Sequence, residues 1–258
     1  MNLFSQEYGA GPPLVILHGL LGSLDNWHTL SKKFGTSFRV FAVDQRNHGR
    51  SPHSEILTFD AMAQDLAEFL DLQQIPSASI LGHSIGGKTA MQFALSYPDR
   101  VDRLIVVDIA PRAYPRLHDE ILGAMMSVDL LHPQSRQQVD GQLSKRITDL
   151  ALRQFLMKNL GRDDSGRFFW RANLEVIDRS YTEIAREIKA AKPFKKPSLF
   201  LKSNQSSYVR ESDTRSIRET FPNAQIVGVD TGHWIHAEAP DRFFEIVLSF
   251  LLGNAQQT

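Results

Sequence analysis

Residues 78–87, Ala78-Ser79-Ile80-Leu81-Gly82-His83-Ser84-Ile85-Gly86-Gly87, decide how this chain folds. ASILGH is apolar enough for a strand buried on both faces, and Ile85 to Leu95 suits a helix packed close to a sheet. Between them the serine has a glycine two places before it and another two places after it. Glycines permit a turn too tight for larger residues, which lifts the Ser84 hydroxyl above the sheet at a helix N-terminus. There the serine can meet a substrate, while the Ile85 amide points toward an oxygen gaining charge. A serine that merely caps a helix is the plainer alternative.

The same strand signal recurs on either side. LVILH at 14–18, FRVFAVD at 38–44 and DRLIVVD at 102–108 are near-continuous apolar runs. The spacing of Phe59, Met62, Ala63, Leu66, Phe69 and Leu70 predicts a helix over 59–72 with one face on a sheet. A helix is also expected between the first two strands, with Asp25 or Asn26 available to cap it. Strand, crossover and strand in series imply an α/β fold with a mostly parallel central sheet flanked by helices. After Pro111 the rhythm changes: Ile121 to Leu131, Leu143 to Leu160 and Leu174 to Ile188 read as helices, without a convincing strand. PSLFLK at 197–202 restores the sheet, a helix follows over 211–220, AQIVGV at 224–229 is a last strand, and Pro240 to Leu252 forms a closing helix. The expected organisation is a core over 1–111, an inserted helical cap over 112–192, and the rest of the core over 193–258.

A serine hydroxyl at neutral pH needs a base within hydrogen-bond reach. His233, in Asp230-Thr231-Gly232-His233-Trp234, follows the last strand and emerges on the same sheet edge as Ser84. His83 lies inside the turn, His18 starts a second glycine loop, and His236 suits a structural place. A carboxylate must then orient the imidazole. Asp108 ends a strand at that edge, whereas the loop Ser203-Asn204-Gln205-Ser206-Ser207 after PSLFLK holds no carboxylate. Asp213 and Asp230 are weaker alternatives, Asp102 belongs at the opposite end, and Asp108 could instead hold the loop leading to Pro111. His18-Gly19-Leu20-Leu21-Gly22 follows the first buried strand, so the Leu20 amide is the expected second oxyanion donor beside Ile85. Trp27, Trp234, Met125, Leu156 and Trp170 are candidate walls of an apolar substrate pocket, with Leu122 and Met126 further cap candidates.

Composition narrows the partners. The 29 basic and 29 acidic residues are interspersed, so no field suited to nucleic acid is built. Without cysteine there is no thiol redox chemistry and no thiolate metal site, and the histidines lack a metal-ligand pattern, so neither cofactor nor metal is expected. No run is long enough to span a bilayer and the start lacks an export signal, so a cytoplasmic protein without stable membrane insertion is expected.

HGLLGSLDNW, VDQRNHGRSPH, MAQDL, LGHSIGGKTAMQFAL, LIVVDIAP and GHWIHAEAP together resemble the α/β-hydrolase superfamily, and within it the YbfF-type esterase group and its mitochondrial abhydrolase relatives. The resemblance covers almost the whole chain and is weakest in the cap. It implies the α/β-hydrolase fold and hydrolysis of acyl esters, sometimes of acyl thioesters, by Ser84, Asp108 and His233, and the apolar bias of the candidate pocket walls predicts short to medium acyl esters. Epoxide hydrolases and haloalkane dehalogenases would need an aspartate at position 84. A carbon–carbon bond hydrolase or a cofactor-free perhydrolase could use the same triad, and a non-enzymatic binding module would follow only if the loops were misaligned.

Overall fold

The computed structural model describes residues 1–132 and 135–253. The first half of the chain runs β1 (Ser5–Tyr8), β2 (Pro13–Leu17), α1 (His28–Phe34), β3 (Arg39–Val43), α2 (Phe59–Leu72), β4 (Ala78–His83), α3 (Ile85–Ser96) and β5 (Val101–Val107). Helices α4 (Asp119–Met126), α5 (Arg136–Leu143) and α6 (Leu150–Met157) follow, then the hairpin of β6 (Leu160–Arg162) and β7 (Phe168–Trp170). Next come α7 (Leu174–Arg179), α8 (Tyr181–Ala185), β8 (Ser198–Ser203), α9 (Asp213–Thr220), β9 (Ala224–Val229), α10 (Ile235–Glu238) and α11 (Pro240–Leu251).

The main sheet has the order β1-β3-β2-β4-β5-β8-β9, and every neighbouring pair is parallel except β1 with β3. Alternation along each strand explains the unbroken apolar runs, because both faces are covered. Val15, Leu17, Leu104 and Val106 share a core with α2 and α3, whereas Leu14, Ile16, Ile105 and Val107 pack with Phe34, Phe243 and Val247 of α1 and α11. Strand order reverses at β2: the chain first moves to β3 on one side, then crosses to β4 on the other. The C-terminal ends of β2 and β4 therefore open a crevice between them, where open α/β sheets bind ligands.

Helix α2 occupies 59–72 as its spacing predicts, and the Thr58 hydroxyl accepts from the Ala61 amide at its start. Several details differ from expectation. Ser23, rather than Asp25 or Asn26, stands at the N-cap before α1's leading turn, and the Asn26 side chain accepts from the Ser23 N–H at 2.8 Å. The stretch expected to run from Leu143 to Leu160 is broken, because Asp149 turns its carboxylate onto the amides of Ala151 and Leu152 and starts α6 afresh. Ser180 stands between α7 and α8 and makes no side-chain cap bond to either. The β6–β7 hairpin has strands of three residues each, too short to show an alternation in sequence. Strand β1 carries no apolar run, because SQEY lies at the sheet edge, where no face is fully buried.

The helical insertion joins the sheet between β5 and β8 and is tied back to α3. Lys88, buried on α3, donates from Nζ to the carbonyls of Arg112 and Arg186, residues near the two ends of the insertion. A buried ion pair braces the loop after β3: Arg46 Nε and Nη2 reach Asp65 Oδ2 and Oδ1 at 2.6 and 2.8 Å. Both partners are removed from water, so Asp65→Ala leaves a guanidinium without its counter-charge. That variant is expected to lose about 3–5 kcal/mol in urea denaturation. A loss below 1 kcal/mol would mean that water reaches Arg46.

Candidate active site

Ser84 takes φ 54° and ψ −120° between β4 and α3, a conformation costly for a residue with a Cβ. Neighbouring glycines create the space for it. A Cβ on Gly82 would stand 2.1 Å from the Gly86 carbonyl oxygen, and one on Gly86 would stand 2.5 Å from the carbonyl oxygens of Leu17 and His18. Helix α3 can therefore begin against the C-terminal end of β2 only because position 86 has no side chain. Ile85 opens that helix, so its N–H has no acceptor within it.

The loop His18–Gly22 faces this turn. The Gln45 amide donates to His18 Nε2 at 3.0 Å, which leaves Nδ1–H to donate to the Gly19 carbonyl at 2.8 Å. The Gln45 side chain adds a bond to the His18 carbonyl at 2.7 Å, and Leu21 is held at φ 57°. Asn159, from the insertion, donates to the Leu21 carbonyl. This loop is thus fixed from both sides before any ligand arrives.

His233 lies between β9 and α10. Its Nδ1–H donates to Asp108 Oδ2 at 2.8 Å, which leaves Nε2 to act as a base. Asp108 follows β5 at φ 46° and is fully buried. Its carboxylate also accepts the Ser203 amide on Oδ1 at 2.8 Å and the Ser206 hydroxyl on Oδ2 at 2.6 Å. The loop without a carboxylate is therefore the one whose donors hold Asp108. Tyr208, from the same loop, stacks on the His233 ring with centroids 3.8 Å apart at 17°. His83 Nε2–H donates to the His233 carbonyl at 3.0 Å, so His83 braces the loop of the candidate base. Asp213 instead pairs with Arg112, and Asp230 accepts from Asn204.

Ser84 and His233 line one cavity of about 260 Å³, together with Leu20, Trp27, Leu156 and Trp234. Ile121, Leu152, Phe155 and Tyr208 complete its apolar wall, none of them anticipated from sequence. Met125 and Trp170 are not brought there. Trp170 Nε1–H donates to the Met125 carbonyl at 3.0 Å, and both residues border a separate surface groove with His53 and Met126. Leu122 is buried in the core. Helical spacing marks a residue as inward-facing without saying which inner surface it faces.

Burial sets the protonation of the surrounding histidines. It lowers His18 to about 4, His236, stacked on Trp27, to about 3, and His118 to about 4. It holds His83 well below the usual range, with His233 and His236 nearby adding to the effect. Each is neutral in the fold but would accept a proton near 6.5 once unfolded. As pH falls from about 6.5 to 4 the unfolded chain takes up more protons, so stability is full above that window and declines through it. The urea midpoint is expected to be lower at pH 4.5 than at pH 7. Equal midpoints would contradict the neutral, buried placement.

No helix among the described residues is long and apolar enough to cross a membrane. The alpha/beta hydrolase fold family matches residues 12–240. The chain is 42% identical over 249 residues to the sn-1-specific diacylglycerol lipase ABHD11 of Mus musculus, across 93% of this chain and 81% of that protein. It is 37% identical over 249 residues to Esterase YbfF of Escherichia coli, across 96% of each. Among solved structures, a marine microorganism esterase superposes with a TM-score of 0.95 at 40% identity, covering 97% of this chain and 99% of that one. The matched relatives carry several different names, so the similarity supports an esterase of this superfamily rather than one subgroup.

Proposed function

This chain belongs to the alpha/beta hydrolase fold family, and from that premise we propose that it is a serine-dependent carboxylic ester hydrolase working through an acyl-Ser84 intermediate. The observation that carries the reading is the contact of His233 Nδ1 with Asp108 Oδ2 beside the cavity that holds Ser84. As the Ser84 hydroxyl attacks an ester carbonyl, His233 Nε2 takes its proton. The amides of Leu20 and Ile85 receive the negative oxygen, at roughly 3 kcal/mol for each aligned donor. Collapse breaks the bond to the leaving group, which departs with the proton from His233. Water activated by the same imidazole then releases the acid and restores Ser84. Asp108 stays ionised and holds the tautomer throughout.

Residues 112–192 serve as the cap over this site in our reading, with 1–111 and 193–258 as the core. Leu156, Trp27 and Trp234 supply apolar walls, which suits short to medium acyl esters. The test compares p-nitrophenyl esters, acyl-CoA thioesters, vinylogous diketones and peroxide-dependent halogenation on the purified protein. Ester hydrolysis is expected to dominate. Cleavage of diketones, or halogenation, without ester turnover would overturn the proposal.

A further inference from the structure

Ser84 stands where two cavities of very different size meet. The larger, of about 260 Å³, and the smaller, of about 40 Å³, share Leu20, Ser84, Leu117, His118 and Tyr208 as walls. At roughly 10–15 Å³ for each water-sized group, the small arm accepts about three such groups and the large arm about twenty. We infer that the small arm takes the acyl group and the large arm the leaving group, so the substrates are short-chain acyl esters of bulky apolar alcohols. This rests on the esterase reading above and adds the direction in which the ester lies.

Proton transfer fixes that direction. The leaving oxygen must receive a proton from His233, so the leaving group extends to the side that the imidazole occupies. His233, Trp234 and His236 line the large arm and do not line the small one. Ile85, which opens α3 with an amide free of helical partners, lines the small arm. The carbonyl carbon bonded to Ser84 therefore directs its acyl substituent into the small arm, and its oxygen substituent toward His233.

The small arm is also lined by tightly held groups. Ile184 of α8 and Ile109 wall it, and Lys88 lies along it with its ammonium committed to the Arg112 and Arg186 carbonyls and 4.9 Å from the centre of the Tyr114 ring. A longer acyl chain would have to displace a bonded, buried ammonium or push α8 outward. The large arm is walled by apolar side chains such as Ile121, Leu152, Phe155 and Leu156 and has no lysine or arginine among its lining residues.

Two ester series on the full chain test this. In p-nitrophenyl esters from acetate to decanoate, kcat/KM is expected to peak between acetate and butyrate and to fall at least tenfold by octanoate. In ethyl, hexyl and decyl acetates, whose alcohols are matched in acidity, it is expected to rise about tenfold with alcohol length, the scale on which apolar pockets discriminate. Ile184→Ala should raise hexanoate relative to acetate by about tenfold. An optimum at octanoate or longer, or a flat alcohol series, overturns the assignment while leaving the esterase reading intact. An unchanged hexanoate-to-acetate ratio in Ile184→Ala overturns it as well. No turnover of any ester by the folded protein overturns both.

Discussion

Ser84→Ala is expected to reduce ester turnover by about 10⁴–10⁶-fold while leaving the fold in place. The size follows from the covalent step: without Oγ there is no acyl-enzyme, and His233 is left with no alcohol to activate. The oxyanion amides and the cavity would survive, so residual catalysis above water is expected. Stability should stay level or rise slightly, because position 84 keeps φ 54° whichever small side chain it carries, and function rather than folding accounts for the hydroxyl. Burst kinetics with p-nitrophenyl acetate and urea denaturation measure the two halves of this expectation. Turnover within tenfold of the parent would mean that another group attacks the ester.

Asp108→Asn is expected to cost about 10⁴-fold in kcat with little loss of stability. The reason lies in the donors around the carboxylate. The Ser203 amide, a fixed donor, faces Oδ1 at 2.8 Å, so an amide side chain must place its oxygen there. Its NH₂ then occupies the Oδ2 position, 2.8 Å from His233 Nδ1 in the parent. A donor facing Nδ1 forces that nitrogen to accept, which moves the ring proton to Nε2 and removes the base. Ser206, whose hydroxyl reaches Oδ2 at 2.6 Å, can rotate to accept instead, so folding is spared. Nitrogen NMR of the His233 ring should report the tautomer change directly. A kcat within tenfold of the parent, or an unchanged tautomer, would remove Asp108 from the reaction.

The fold is legible in sequence where burial is two-sided. β2, β3, β4, β5 and β8 stand within a residue or so of their apolar runs because neither face meets water. β1, half-exposed and polar, and the β6–β7 hairpin carried no such signal. In the insertion, periodic apolar residues mark helices, but a local cap such as Asp149 decides where a helix starts afresh.

At the site, position along a strand was the informative quantity. Ser84, Asp108 and His233 each follow a strand at its C-terminal end, and parallel strands bring those ends to one rim. Pocket walls from the insertion were less legible, since Leu156 reaches the cavity whereas Met125 and Trp170 border another groove. Tyr208 and Ser206 had a usable signal. A loop rich in hydroxyls and lacking a carboxylate, placed after β8, is suited to supply donors to an acid arriving from the neighbouring strand.

The central claim is that Ser84 is an activated nucleophile. Intact-mass measurement of the folded protein after exposure to a fluorophosphonate, followed by peptide mapping, tests it most directly. A single adduct on the peptide carrying Ser84, absent from Ser84→Ala, is the predicted result. A folded protein that takes up no label, or takes it up on a different residue, would contradict it.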